Sequence, residues 1–393
     1  MGSNGSSADF VSDFLADAGR LLAIPSTADR PEELRRALDF VLGYVLDPAP
    51  GPPDGPKDHP AHPAYTVERF ESGGKPSALV YLGTTRPHFR IILNGHLDVV
   101  PALPEQFRPR RDGDRLYARG AQDMKVSALM LARVFRELAA SLPYPIGLQL
   151  VTDEEVGGRD GTAHQLALGV AGDFVVIGEF SGLDVVTESK GVITATLRAV
   201  GRSAHSAYQW FGDNALLKLQ RSLDKVLAAY PVPTEEIWRT TVNVARIETH
   251  NPARNQVPAL AEAHLDIRFP PEDTDFDGRT IEEITAHLAG FCEPGVTPTI
   301  DFTGPPHHAD SGRPEVERLR RAARGQGHRS DLLRKHGAAD GRYYYQRGID
   351  AVLFGVGGGG LHGPDEYLDI GTVAPYYLAL REFLRDPGRR EDR

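Results

Sequence analysis

Side chains that can bind a metal ion or move a proton follow four apolar runs of the sequence. The runs cover residues 91–93, 146–151, 174–177 and 351–354, and the side chains beyond them are His96, Glu155, Glu179 and His362. A fifth, Asp123, stands just ahead of a helical pattern, where a helix N-terminus favours negative charge. The single cysteine, Cys292, excludes a thiolate cluster, so a metal site must be built from imidazole and carboxylate groups.

These five residues form a set that fits more than one metal ion. Two histidines and three carboxylates are the ligands expected for paired zinc ions that share a bridging carboxylate. Taken singly, each of them is more often a loop cap or a solvated charge. Their occurrence at several separate strand ends favours the paired metal site.

Alternating helical and strand patterns predict the elements that would position these residues. Helices are predicted over 12–22, 31–46 and 125–140, strands over 77–82, 90–93, 146–151, 174–177 and 351–354, and a Pro/Gly-rich loop over 48–63. This order is typical of an α/β fold with a mixed, mostly parallel sheet and flanking helices. Because ligands bind beyond the carboxyl ends of strands in such a sheet, one crevice is expected to hold the polar strand ends.

Residues 191–303 follow a different order of elements. Strands are predicted over 192–200, 240–247, 259–269 and 297–302, and helices over 214–229 and 279–290. This β-α-β-β-α-β order is the ferredoxin-like pattern. We therefore expect an α+β domain inserted into the α/β domain, which divides the chain into residues 1–190, 191–305 and 306–393.

The composition excludes two classes of partner. Lys and Arg total 44 against 54 Asp and Glu, and the net charge of −10 offers no basic field to nucleic acid or to an anionic membrane. No apolar run reaches 18 residues, and the N-terminus lacks the basic and apolar regions of a signal peptide. We therefore expect a cytoplasmic protein.

Five ordered segments resemble one known family. They are Gly95 to Pro101, Gly120 to Lys125, Asp153 to Gly158, Gly201 to Ser206 and His362 to Glu366. The family is that of the co-catalytic zinc hydrolases, which includes acetylornithine deacetylase, succinyl-diaminopimelate desuccinylase, aminoacylase, carboxypeptidase G and the cytosolic dipeptidases. The resemblance implies a zinc-peptidase-like sheet domain, an inserted lid and dimerisation domain, and a homodimer.

The resemblance also implies roles for the residues of the metal site. Asp123 would bridge two Zn²⁺ ions, with Co²⁺ or Mn²⁺ as alternatives. His96 and Glu179 would complete one site, and Glu155 and His362 the other. Asp98 would accept the imidazole N–H of His96 and so fix its tautomer. Glu154 would be the general base; the other interpretation of the triplet Asp153-Glu154-Glu155 is a solvated acidic turn.

Three residues of the inserted domain resemble substrate-binding groups of the family. His205 would reach the active site of the partner subunit and stabilise the oxyanion, whereas a lone histidine in a polar loop is usually just exposed. Arg268 would hold the substrate carboxylate, with Asn255 as a nearby polar contact. The alternative for Arg268 is a surface salt bridge.

These expectations describe a di-zinc amidohydrolase that acts on an N-acyl amino acid. A dipeptidase or carboxypeptidase of the same family is one alternative, and a non-catalytic binding protein on the same fold is another. Val126 and the segment 337–342 depart from the family pattern, which leaves the substrate, rather than the metal chemistry, open.

Overall fold

The chain divides into two compact units. The computed structural model describes residues 4–46 and 64–386, so the predicted loop at 48–63 lies outside the described residues. The first unit comprises the described parts of Met1–Thr187, Ala309–Leu333 and Tyr343–Arg393, and the inserted unit comprises Glu188–His308 and Arg334–Arg342. The domain boundaries expected from the sequence stay a prediction. In the structure the inserted unit also contains residues 334–342, which the sequence had placed in the first domain.

The first unit begins with helices and continues with the strands of a large sheet. Its elements before the insertion are α1 (Asn4–Leu22), α2 (Pro31–Leu46), β1 (Tyr65–Ser72), β2 (Lys75–Leu82), β3 (Phe89–His96), β4 (Arg110–Asp112), β5 (Arg115–Tyr117), α3 (Lys125–Leu138), β6 (Ile146–Val151), α4 (Thr162–Ala167), β7 (Gly172–Ile177) and β8 (Val185–Ser189). The last residues of β8 already belong to the inserted unit.

The remaining elements complete both units. Those of the insertion are β9 (Gly191–Val200), α5 (Ala215–Ala229), β10 (Thr241–Glu248), β11 (Leu260–Phe269), α6 (Ile281–Ala289), β12 (Val296–Gly304) and β13 (His307–His308). They are followed by α7 (Pro314–Gly325), β14 (Leu332–Lys335), α8 (Gly341–Tyr345), β15 (Asp350–Leu353), β16 (Gly358–Gly359), β17 (Tyr367–Asp369) and α9 (Val373–Arg385).

The large sheet is mixed, as predicted, with its parallel part in the centre. The four neighbouring strands β6, β3, β7 and β15 run parallel. On one side β2 and β1 follow antiparallel, and on the other side β8 pairs antiparallel with β15. Every residue of β6 is buried, which explains why the strand is apolar at every position except Gln149. Helix α3 packs on β3 and β6 and against α1, α2 and α9.

A small second sheet of the first unit joins two distant segments. Its order is β16-β17-β5-β4, and its neighbouring strands are antiparallel. The strands have only two or three residues each. Such short runs carry no periodic pattern, so the sequence did not predict them.

The inserted unit has the predicted ferredoxin-like arrangement. Its sheet has the order β10-β11-β9-β12 and is antiparallel throughout. Strand β11 alternates between half-buried and buried residues, because helices α5 and α6 cover one face of the sheet. Among the residues that the structure describes, no helix of either unit is long and apolar enough to cross a membrane.

Candidate metal centre

The polar strand ends come together at one rim of the large sheet. Strand β3 ends at His96, the short turn Glu154–Val156 follows β6, and Glu179 comes just after β7. These strands are parallel neighbours, so their carboxyl ends lie side by side. Asp123 joins them from the turn ahead of α3, and His362 from the loop between β16 and β17.

Three of the predicted metal ligands form a buried group, which we call the buried triad: His96, Asp123 and Glu179. The Nε2 atom of His96 lies 3.0 Å from Oδ1 of Asp123 and 3.2 Å from Oε1 of Glu179. No more than 10% of any of these side chains is exposed. The triad therefore lies beneath the rim, largely shielded from water.

A second group, the exposed triad, shares Asp123 and adds Glu155 and His362. The Nε2 atom of His362 lies 3.4 Å from Oδ2 of Asp123 and 3.3 Å from Oε2 of Glu155. The side chain of His362 is 48% exposed, whereas that of Glu155 is 8% exposed. The two carboxylate oxygens of Asp123 thus face different histidines, as a bridging carboxylate requires.

The spacing of these atoms fits metal ions. In each triad the donor atoms lie within 4.8 Å of one another. Around a tetrahedral zinc ion with bonds of about 2.0–2.1 Å, the ligand atoms lie about 3.3 Å apart. The histidine-to-carboxylate separations of 3.0–3.4 Å agree with that value, so the residues present fit a pair of divalent cations.

Crowded carboxylates raise the pKa of both histidines. Burial alone lowers the pKa of His96, but hydrogen bonds with its carboxylate neighbours, Asp123 first, outweigh burial and hold it well above its usual range. Hydrogen bonds with Asp123 and Glu155 raise the pKa of His362 to about 10. The cluster therefore favours positive charge among its acids, which protons or metal cations can supply.

Asp98 contacts His96 and also orients the turn that follows β6. The Nδ1 atom of His96 lies 3.0 Å from the backbone oxygen of Asp98 and 3.5 Å from Oδ1 of its carboxylate. The imidazole N–H thus has the backbone oxygen as its nearer acceptor, rather than the expected carboxylate. The Asp98 carboxylate accepts hydrogen bonds from the backbone N–H groups of Glu154 and Glu155, at 3.2 and 2.9 Å.

Two buried residues beside the cluster, Arg119 and Glu366, were not among the predicted site residues. Their side chains form an ion pair and are 3% and 0% exposed. Glu366 accepts hydrogen bonds from the backbone ahead of α3, and Arg119 donates to the backbone at His362. A signal for Glu366 exists in the sequence, since this residue ends the segment His362 to Glu366 that carries the resemblance.

The structure brings His205 and Asn255 together by backbone contacts in the inserted unit. The backbone N–H of Ser206 donates to the backbone oxygen of Asn255 at 2.8 Å, and His205 forms a bridge with Gln256. His205 is exposed, and its Nδ1 accepts a hydrogen bond from the N–H of Ala207 at 3.1 Å. That contact fixes the tautomer with the proton on Nε2, which leaves this atom as the donor.

Arg268 lies on β11 and is paired within its own strand. Its Nε and Nη2 atoms donate to the two carboxylate oxygens of Asp266 at 2.6 and 2.9 Å. The Arg268 side chain is 35% exposed. Both residues line a cavity of about 590 Å³ in the inserted unit, together with Lys190, Asn243 and His336. Asp266 occupies one edge of the guanidinium, and no acceptor among the described residues lies within hydrogen-bond distance of Nη1.

A third group of described residues, on the inserted sheet, also has its possible ligand atoms within 4.8 Å of one another. It consists of Glu248, Glu262 and His264. Each of its carboxylates already has a cationic partner, since Arg246 pairs with Glu248 and Arg198 with Glu262. The charge of this group is balanced without a metal ion, and we assign none to it.

Comparison with known proteins agrees with this architecture. The chain is 28% identical over 319 residues to succinyl-diaminopimelate desuccinylase of Dinoroseobacter shibae, which covers 75% of this chain and 82% of that protein. A solved tripeptidase from Staphylococcus aureus superposes with a TM-score of 0.73 at 17% identity, covering 95% of this chain and 98% of that one. A metallo-carboxypeptidase from Sulfolobus solfataricus gives 0.72 at 18% identity with the same coverages.

Because the sequence identities to the two solved structures are low, these structures establish only the fold. The sequence profile of peptidase family M20/M25/M40 matches residues 92–386, which include every residue of both triads as well as the whole inserted sheet. The expected resemblance is therefore confirmed at the level of the family. This chain belongs to peptidase family M20/M25/M40.

Proposed function

We propose that this chain hydrolyses the amide bond of an N-acyl amino acid with the help of two divalent metal ions, for which Zn²⁺ is the preferred candidate. The observation that carries the proposal is the pair of triads that share Asp123. Each triad has one histidine and two carboxylates, with their donor atoms spaced as ligands of one ion are. Co²⁺ and Mn²⁺ are alternatives with compatible ligand preferences. The desuccinylase relative supports a deacylase, since a desuccinylase removes an acyl group from nitrogen.

The reaction needs a base as well as Lewis acids. When bound, paired divalent ions polarise a carbonyl group and activate water. Glu154, half-buried in the turn beside Glu155, takes the proton from the attacking water and passes it to the leaving nitrogen. The C–O bond forms first and leaves the former carbonyl oxygen as an oxyanion. The C–N bond then breaks, which yields a carboxylate and an amine. Asp98 holds the backbone of this turn and so keeps Glu154 beside the metal ligands.

Arg268 is the proposed receptor for the free carboxylate of the substrate. A guanidinium offers several donors in one plane, so Arg268 can keep Asp266 on its Nε edge and present Nη1 to a second carboxylate. Asp266 thereby limits the rotation of the guanidinium. Asn255 is the proposed neighbouring polar contact.

His205 is the proposed oxyanion donor, acting across a homodimer. It caps the short helical turn Ser206–Phe211, in which Tyr208, Trp210 and Phe211 are 52%, 70% and 64% exposed. Adjacent exposed aromatic side chains are typical of an interaction surface, which supports pairing with a second copy of the chain. The cytoplasmic location expected from the sequence stays a prediction.

A substrate panel on metal-loaded protein tests the proposed reaction. We expect two divalent ions per chain and hydrolysis of N-succinyl or N-acetyl amino acids, with loss of turnover after chelation and recovery on adding Zn²⁺. Hydrolysis of dipeptides alone would assign the chain to the peptidase alternative. Binding of these compounds without hydrolysis by fully loaded protein would contradict the proposal and favour a non-catalytic binding protein.

A further inference from the structure

The two histidines of the metal cluster are held in very different ways. His96 ends a central strand of the large sheet and is 1% exposed. His362 lies in the loop between β16 and β17, has a φ of +56° and is 48% exposed. A strand fixes its last residue through the sheet, whereas a loop residue needs other contacts to keep its position. The exposed triad therefore depends on whatever holds this loop.

Glu366 holds the segment that carries the shared carboxylate. Its Oε1 atom accepts hydrogen bonds from the backbone N–H groups of Gln122 and Asp123, at 3.0 and 3.2 Å. These two groups lie in the turn ahead of α3. The side chain of Glu366 is 0% exposed, so the contacts are made away from competing water.

Arg119 holds the loop that carries His362. Its Nη1 atom forms an ion pair with Oε2 of Glu366, and its Nη2 atom donates to the backbone oxygens of His362 and Gly363 at 2.9 and 3.1 Å. One guanidinium thus contacts both a carboxylate and two carbonyl groups. A lysine ammonium has no planar fork and cannot reproduce this set of contacts.

A contribution to stability alone is a poor explanation for this pair. Burying two charges costs desolvation energy that their attraction often fails to recover, so buried ion pairs are weak evidence of stabilisation. The small sheet already joins the same two segments, because β17 pairs with β5. What the pair adds is a fixed distance between the backbone at Asp123 and the backbone at His362.

We propose that Arg119 and Glu366 are positioning residues that set the metal affinity of the exposed triad. This inference rests on the proposed function, because it takes Asp123, Glu155 and His362 as ligands. The pair acts through the backbone of two ligands, Asp123 on one segment and His362 on the other. Its loss lowers the affinity for the ion of the exposed triad more than for the other ion. Two ligands of the exposed triad, Asp123 and His362, depend on the pair, whereas Asp123 alone of the buried triad does.

Substitutions of Arg119 and Glu366, matched to a control elsewhere, test the inference. Arg119→Met removes every donor, while Arg119→Lys and Glu366→Gln are milder changes in case the first variant does not fold. Arg318 provides the control, since it is a buried arginine paired with Glu315 at 3.5 Å, and the two side chains are 7% and 10% exposed. Arg318→Met and Arg318→Lys remove a comparable ion pair without contacting the cluster.

The measurements are calorimetric Zn²⁺ titration of stripped protein, thermal unfolding of the metal-free form, and turnover at rising Zn²⁺. We expect a roughly 10- to 100-fold weaker affinity for one of the two ions in Arg119→Met and Glu366→Gln, the range for residues that orient metal ligands. Arg119→Lys should lie between these variants and the wild type. Turnover should recover at saturating Zn²⁺, because all five ligands remain.

Each result separates the inference from the proposed function. If the wild type binds no divalent ion, the proposed metal site is wrong and the inference with it. If the wild type binds two ions and the Arg119 variants lose no more affinity than the Arg318 controls, only the inference is overturned. Equally weakened binding of both ions, together with a loss of thermal stability of the metal-free form, would also overturn it, because that result would indicate a general structural role.

Discussion

The predicted site residues of the first unit depend on one another, whereas those of the inserted unit have local partners. In the first unit His96 and His362 each face two carboxylates, and hydrogen bonds with these carboxylates raise the pKa of both histidines. In the inserted unit Arg268 is neutralised by Asp266, and His205 is exposed with its Nδ1 satisfied by the next turn. One region is arranged for cations, and the other has local partners for its charges while keeping donor atoms for a ligand.

This difference predicts effects of different size. Groups that act on the reacting atoms or on the metal ions should dominate turnover, because buried charges interact strongly in a low dielectric. Groups that bind the distant end of a substrate from an exposed position should contribute less, since water competes for the same hydrogen bonds.

The largest effect is expected at Glu154. Glu154→Gln should lower turnover by about 10²–10⁴, the usual contribution of a general base, while both ions stay bound. Glu155→Gln should instead weaken the ion of the exposed triad. Metal content and turnover of the two variants, measured together, check this division. Identical metal content in both variants would argue against different roles for these neighbours.

The next effect concerns the two histidines. His362→Ala and His96→Ala should each lose one ion, with an affinity loss larger than the roughly 10- to 100-fold seen for residues that only orient ligands. Only His96→Ala should also destabilise the metal-free fold, because His96 is buried at the end of β3. Metal analysis and thermal unfolding measure both effects. His88→Ala, at an exposed histidine paired with Asp173, is the control and should change neither.

A smaller effect is expected at Arg268. Arg268→Lys should lower kcat/KM by about 10- to 150-fold, since a hydrogen bond to a charged group contributes about 1.5–3 kcal/mol. Arg198→Lys, on the same sheet, is the matched control. Substrates with an amidated carboxylate should be poor for the wild type and lose little more in the variant. Equal hydrolysis of free and amidated substrates by the wild type would leave Arg268 as a salt-bridge residue only.

The smallest signal is expected from mixed dimers. If His205 acts across a two-fold interface, Glu154→Gln and His205→Ala chains that are refolded together in equal amounts should recover about a quarter of wild-type activity. Half of the dimers would then be mixed, and each would have one intact site. Sedimentation measures the assembly, and assays before and after mixing measure the recovery. A fully active monomer would rule out the role in trans.

The strands that carry the metal ligands could be predicted because their central position in the sheet requires apolar residues on both faces. Central strands of a parallel sheet are covered on both faces and therefore appear as unbroken apolar runs. The abrupt change to His96 or Glu155 after such a run marks the rim of the sheet. The inserted unit was predictable for a related reason, since β11 alternates between covered and open faces.

Contacts between distant segments could not be predicted in this way. Arg119 and Glu366 are 247 residues apart, and their pairing depends on strands too short to have a period. Residues 334–342 join the inserted unit after the chain has left it, which no local pattern indicates. The pairing of Arg268 with Asp266 can be predicted from the sequence, because residues two apart on a strand share a face.

The placement of the tryptophans provides the inserted unit with its own optical reporters. The sequence contains two tryptophans, Trp210 and Trp238, and both belong to this unit. Trp210 is 70% exposed beside His205, whereas Trp238 packs against Lys190 and against Arg334 and His336 of the returning segment. Tryptophan fluorescence therefore reports on the inserted unit alone. Soluble quenchers should act mainly on the exposed Trp210, and the wavelength of maximum emission should report on the packing of residues 334–342 against Trp238.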